Sequence, residues 1–183
     1  MSMFHSTTER LIDYWRSRSR AGESPARADV DPSEFADIIS RVFILGRSAS
    51  GVYPVRLAGD YLSELHGGDL RARNALSLWA EADRFRLRAA LEEARLRPEP
   101  IVATCEVRAD GAEMPMEVLF APLTGVAGAQ DRFLGLYQPL GFTAKLGGRL
   151  ALDMKIRTIR SAGAANEEAP RLRLATLDGR RMA

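Results

Sequence analysis

Two histidines, His5 and His66, one cysteine, Cys105, and a scatter of serines are the residues of this 183-residue chain that could carry chemistry. A Ser–His–Asp arrangement would need His5 or His66 as its base, yet no serine sits in a Gly-x-Ser-x-Gly elbow. A lone cysteine forms no disulfide within the chain and no CxxC metal or redox site. Two histidines leave too little material for a zinc centre, so no metal site is expected. No GxxxxGK[ST] phosphate loop is present, and Gly147-Gly148 is too weak a signal to stand for one. The expectation is a protein that binds, not an enzyme.

Charge bounds the partners. Net charge is +2, and nearly all the positive charge is arginine, with Lys145 and Lys155 the only lysines. Residues 141–183 hold nine Lys/Arg against four acids, a net of +5, which leaves the first 140 residues at −3. A basic C-terminal tail can serve interaction, and the alternative function is nucleic-acid or nucleotide binding through Arg157, Arg160, Arg171, Arg173, Arg180 and Arg181. No aromatic residues interleave them, which argues against base stacking. No run approaches the ~20 apolar residues of a membrane span, and the N-terminus has no basic start followed by an apolar run. Cytoplasmic location without membrane contact is expected.

The elements that must position these residues follow from periodicity. Phe4, Thr8, Leu11 and Trp15 recur at helical spacing, with Ser6 or Thr7 as cap and an end near Arg20 before Gly22 and Pro25. Asp31-Pro32-Ser33-Glu34 starts a second, short helix through Ile39. Val42 to Leu45 and Val52 to Ala58 read as strands, the second an edge strand because of Pro54. Tyr61 to Leu65 forms a short helix ended by Gly67-Gly68. A longer helix runs from about Asn74 to Arg97, broken near Asp83, with Arg88 facing Glu92 and Glu93 facing Arg97. The period then changes to two: Ile101 to Arg108, an Asp110-Gly111 hairpin, a return strand with Met114, Met116, Val118 and Phe120 on one face, and a last strand from Phe133 to Leu140. In the tail Leu152, Ile156 and Ile159 sit at helical spacing, residues 161–170 read as a linker, and Arg171-Leu172-Arg173-Leu174 alternates. The order makes an α+β domain.

Two strands, a set of short helices and three antiparallel strands is the layout of a PAS domain. Tyr14-Trp15, Pro25-Ala26-Arg27-Ala28-Asp29-Val30-Asp31-Pro32, Arg56-Leu57-Ala58-Gly59, Asp69-Leu70 and Leu78-Trp79 sharpen this. As a set they resemble a family of single-domain alphaproteobacterial PAS proteins, formerly a domain of unknown function. The resemblance covers about residues 8–140 and touches the Leu-Arg-Leu piece near the C-terminus. It implies a five-stranded antiparallel sheet with helices on one face, plus the N-terminal amphipathic helix, and a sensory or adaptor role in signalling. It names no ligand and no cofactor, and fold alone does not assign function. The organisation expected is an N-terminal helix over 1–24, a PAS-like domain over 25–140 and a basic tail over 141–183; histidine-kinase or cyclase segments do not fit in the 43 residues beyond 140.

A PAS cavity lies between sheet and helices, which makes Phe43, Leu57, Leu78, Trp79, Cys105, Leu119 and Leu134 its candidate lining; the plain alternative is that they fill the core. Tyr53 and Arg56 could contact an acidic ligand, a surface salt bridge being the plain fate of Arg56. Some PAS domains bind haem, and His66 in Glu64-Leu65-His66-Gly67-Gly68 could be an axial ligand or simply a histidine favoured by a helix C-terminus. Light-sensing PAS domains place a cysteine in an Asn-Cys-Arg-Phe-Leu type motif, whereas Cys105 sits in Ala103-Thr104-Cys105-Glu106 and reads as a buried thiol. Phe4, Leu11 and Trp15 form a stripe that could fold back on the sheet or pair with a second copy. The expected partners are a homodimer mate, a signalling protein and a small-molecule ligand.

Overall fold

The computed structural model describes residues 3–20, 22–49, 51–125 and 128–163, so Arg171 to Leu174 and the arginines beyond Arg160 lie outside the described residues. Helix α1 spans Ser6–Arg18, capped by His5, whose Nδ1 accepts from the Thr7 amide, so the cap is one residue earlier than Ser6. Asp31 caps the next segment as expected, accepting from the Ser33 amide at 2.9 Å, but Pro32–Arg41 winds as 3-10 turns broken at Phe35. Strand β1 is Val42–Gly46 and β2 is Val55–Ala58. Helix α2 is Asp60–His66, stopped by Gly67 at φ 77°, a left-handed conformation that glycine adopts without strain.

The long helix expected from Asn74 is present only in its second half. Ala75–Leu78 and Glu81–Asp83 are short 3-10 turns, and α3 spans Arg84–Leu96 after the break at Asp83. Strands β3 (Ile101–Ala109), β4 (Ala112–Leu123) and β5 (Arg132–Pro139) form the meander, turned at Gly111.

Among the described residues the sheet has six strands, not five, in the order β2-β1-β5-β4-β3-β6, every pairing antiparallel. The sixth, β6, is Asp153–Ser161, the segment read from sequence as helical. Its pairing with β3 slips between Thr158 and Ile156, leaving Arg157 as an extra residue. A β-bulge of that kind puts Ile156 and Ile159 on one face although they stand three apart, which imitates helical spacing. The strand's outer edge is partly covered, because Ala80 N–H donates to Met154 O at 2.9 Å and Ile156 N–H donates to an Asp83 carboxylate oxygen at 2.9 Å. Covering an edge in this way limits pairing with other chains. β2 is the opposite edge, as Pro54 predicts.

Both sheet faces are covered. One core joins the sheet to α2, the 3-10 turns and α3 through Phe43, Leu45, Trp79, Leu87, Leu91, Phe120 and their neighbours. The other packs Leu11, Ile12 and Trp15 of α1, with Val30, Phe35 and Ile38, on Val102, Leu119, Ala121, Leu134 and Leu136. Helices therefore lie on both faces instead of one. No helix among the described residues is long and apolar enough to cross a membrane.

Candidate functional site

The site is the space enclosed between the sheet and residues 75–79. β1 supplies Phe43 and Leu45, β2 Val55, α2 Leu62, β4 Phe120 and β5 Tyr137, while Leu70, Ala75, Leu78 and Trp79 close it from above. Three rings set its floor: Phe43 meets Phe120 edge-on at 5.7 Å and Tyr137 at 5.5 Å. Phe43 lies across Gly135, its cross-strand partner, where an added Cβ would stand 1.9 Å from the ring. Glycine is the residue that lets this ring lie flat on the sheet. The cavity that remains is about 10 Å³, at most the space for one water.

Its polar end is a pair. His66 Nε2 lies 3.2 Å from Tyr137 Oη, and the rings meet edge-on at 5.8 Å. Burial pushes the imidazole pKa down to about 4, with Arg73 adding to the shift, so the ring is neutral at neutral pH. The dipole at the end of α2 would favour the cation, but desolvation outweighs that contribution. Tyr137 donates when the neutral ring is the Nδ1–H tautomer. Burial also raises the Tyr137 phenol well above its ordinary range, the nearby Cys105 and Tyr61 contributing, which keeps the donor proton in place. Tyr61 stands close by with its hydroxyl buried and without a hydrogen-bond partner among the described residues; burial pushes it up to about 12, with Arg41 opposing.

Of the sequence candidates, Phe43, Leu78 and Trp79 line this cavity. Cys105 is fully buried in the same core on β3, away from the lining, and burial raises its thiol above the usual range with Glu106 adding. Leu57, Leu119 and Leu134 do not belong to it. The β1–β2 register slips between Ile44 and Leu45, so Arg56 is a bulge and Leu57 turns to the other face, 43% exposed. Leu119 and Leu134 point to the α1 face, since β4 and β5 are buried on both sides and alternation does not reveal which phase faces the helices.

Tyr53 and Arg56 take other places than expected. Tyr53 is fully buried and donates to Glu92 Oε1 at 2.5 Å, and Arg56 is exposed without a salt bridge among the described residues. Glu92 instead gathers Arg47 Nε at 2.6 Å and Arg95 at 2.9 Å, not Arg88, which stacks over Phe85. Burial pushes the Glu92 carboxyl up, and the hydrogen bonds from Arg47, Tyr53 and Arg95 outweigh it to bring the pKa to about 2. The missed lining residues, Leu45, Val55, Leu62, Leu70, Ala75, Phe120 and Tyr137, carried only the signal of apolar periodicity, which marks any core.

The stripe offered as a dimer face is turned inward. Leu11 and Trp15 are buried in the second core, with Phe4 half-buried against it. Trp15 Nε1 donates to Pro122 O at 2.6 Å, the His5 amide donates to the buried Glu117 carboxylate at 3.1 Å, and Arg16 reaches Ala162 O. Tyr14 Oη accepts from the Asp31 amide at 2.8 Å.

Comparison with known proteins places this arrangement. A LOV protein of Rhodobacter sphaeroides is similar at 19% identity and a TM-score of 0.45, over 64% of this chain and 74% of its own. The structure of an RNA-binding light-oxygen-voltage receptor is similar at 19% identity and a TM-score of 0.46, over 65% of this chain and 36% of its own. No curated protein matches. A family model described as PAS domain matches residues 3–138, a span that takes in α1, both strand groups and the whole cavity. The chain belongs to the PAS domain family.

Proposed function

We propose that this protein is a sensory or adaptor module that acts by binding, with the space beneath Leu78 and Trp79 as its ligand seat. The observation that carries the reading is an enclosure of apolar and aromatic side chains that includes Tyr137, whose hydroxyl meets the half-buried His66. Sites for small molecules combine those parts: apolar walls for affinity and a few placed polar groups for orientation. The seat suits a small, largely apolar molecule with one polar atom for that pair.

Entry requires the 3-10 segment to move outward, because the cavity is about 10 Å³. The same segment is bonded to β6, through Ala80 N–H to Met154 O and Asp83 to the Ile156 amide. A ligand that displaces Trp79 therefore loosens the cover of the β6 edge. Its occupancy biases the open over the closed arrangement only by the difference in its affinity for the two.

Native mass spectrometry of the purified full chain tests this, followed by thermal shift against small apolar and aromatic compounds. Bound extra mass, or a Tm rise that is lost in His66→Ala or in Tyr137→Phe, supports the reading. Bare protein with no Tm response to the compounds would sink the ligand seat and leave protein docking as the sensory route.

A further inference from the structure

The polar end of the ligand seat holds one proton more than its own side chains can take. Tyr137 Oη lies 3.2 Å from His66 Nε2, and on the Nδ1–H tautomer that bond uses both the Tyr137 proton and the lone pair of the neutral ring. Tyr61, on the first turn of α2 beside Leu62 of the lining, brings a second phenol. Its hydroxyl is buried without a hydrogen-bond partner among the described residues, although it stands near enough to Tyr137 to raise that phenol further. Cys105, also close to Tyr137, adds only a weak thiol donor. A buried oxygen with a spare lone pair is tolerated more readily than a buried proton with nothing to accept it. What this end lacks is therefore an acceptor.

The surroundings decide what charge that acceptor can carry. Arg41 opposes the rise of the Tyr61 phenol, yet burial still pushes it up to about 12, and the Arg41 guanidinium is itself taken up by Gln138 Oε1 at 2.6 Å. Burial, with Arg73 adding, keeps His66 neutral. Phe43, Leu62, Leu70 and Leu78 supply the adjoining wall. An end that disfavours a phenolate within range of an arginine disfavours a carboxylate or a phosphate for the same reason, desolvation. A neutral acceptor escapes that cost.

Resting on the reading of this space as a ligand seat, we propose that Tyr61 determines its specificity and that the ligand is a small apolar molecule with one neutral carbonyl oxygen, as in a ketone or an ester, which accepts the Tyr61 proton. A hydrocarbon of the same shape leaves the donor unpaired. An alcohol or an amine brings a further proton to an end that already has one in excess. A site built around a hydrogen bond discriminates against the analogue that lacks it, because its own buried group is then left without a partner.

Isothermal titration of the full chain with three compounds of similar shape tests this: acetophenone as the neutral acceptor, ethylbenzene with no polar atom, and benzoate as the anion. Acetophenone should bind about tenfold tighter than ethylbenzene, which corresponds to about 1.4 kcal/mol and to one net hydrogen bond. Benzoate should bind no better than ethylbenzene. Tyr61→Phe should bring acetophenone down to the affinity of ethylbenzene and leave ethylbenzene unchanged, a split that a purely structural role for the hydroxyl would not produce. Ethylbenzene equal to acetophenone, benzoate the tightest of the three, or an acetophenone preference that survives Tyr61→Phe overturns the inference and leaves the seat standing. Binding by none of the three takes away the seat, and the inference falls with it.

Discussion

The two faces of this sheet are closed by different means. One is covered mainly by one continuous helix, α1, with Val30, Phe35 and Ile38 beside it; the helix is pinned near its start by Glu117, along its length by Trp15 to Pro122 O, and at its end by Arg16 to Ala162 O. The other is covered by α2, two 3-10 turns and α3, each short and each with its own attachments. A helix of that length packed along one stripe leaves the sheet as a unit or stays. Short 3-10 turns have few internal hydrogen bonds and move in pieces. The ligand seat lies under the second kind of cover, where local opening costs least, and the helix-covered face keeps the sheet whole while it happens.

Removing one tryptophan from each face gives the largest contrast. Trp79→Ala and Trp15→Ala should each cost about 3–5 kcal/mol, read by chemical denaturation. The consequences then part. Trp79 is 1% exposed inside an enclosure, so its removal leaves a cavity that a small aromatic such as indole can enter. Indole should raise the Tm of Trp79→Ala and leave that of Trp15→Ala unmoved. Equal rescue of both variants would break the distinction between the faces.

Gly135 sharpens it from within the sheet. Gly135→Ala drives a Cβ into the Phe43 ring, which rests on the aromatic floor of the seat. Overpacking of this kind costs about 1–3 kcal/mol. The loss should shrink in Gly135→Ala/Phe43→Leu, because the ring that clashes has gone. A double variant no more stable than the additive expectation would mean the strand itself, and not the ring, demands glycine.

Acid should find the turn-covered face first. The His66 pKa is lowered from 6.5 to about 4, so the unfolded chain binds the extra proton between those values and stability falls as pH drops from 6.5 towards 4. Linkage sets the loss at up to ~3 kcal/mol, reduced to about half by screening at this partly exposed ring. Glu92 acts lower: its carboxyl is depressed from 4.5 to about 2, and the stability it adds is full above 4.5 and lost as pH falls through 2. Denaturation midpoints against pH should show two steps, and His66→Gln should remove only the upper one. A first step that persists in His66→Gln would assign it to another group.

What could be read in the sequence was what short stretches decide among themselves. The Asp31 cap, the Gly67 stop and the Gly111 turn depend on neighbours two or three residues away, and each stands where expected. The bulges at Arg56 and Arg157 depend on register with a paired strand, and each moved a residue to an unexpected place: Leu57 out of the seat, Ile156 and Ile159 out of a helix. Leu119 and Leu134 failed for a different reason, since α1 buries the second face and erases the alternation that would have given their phase. His66 was visible as a helix-end histidine, but its neutral state rests on burial, with Arg73 adding, and its hydrogen-bond partner Tyr137 stands 71 residues away.

The smallest expected effect has the opposite sign. The Tyr61 hydroxyl is buried without a hydrogen-bond partner among the described residues, on α2 near the polar end of the seat. A buried hydroxyl left unpaired carries a desolvation cost of about 1–3 kcal/mol. Tyr61→Phe keeps the ring packed against the core and removes that cost, so it should stabilise the ligand-free protein by about 1 kcal/mol. The α1 face has a counterpart in Thr8, whose hydroxyl is likewise buried without a hydrogen-bond partner among the described residues. If Tyr61 also serves the seat, Tyr61→Phe should stabilise the free protein while reducing the Tm rise produced by a bound compound. A Tyr61→Phe variant less stable than the parent would mean that the hydroxyl has a partner when the protein is in water.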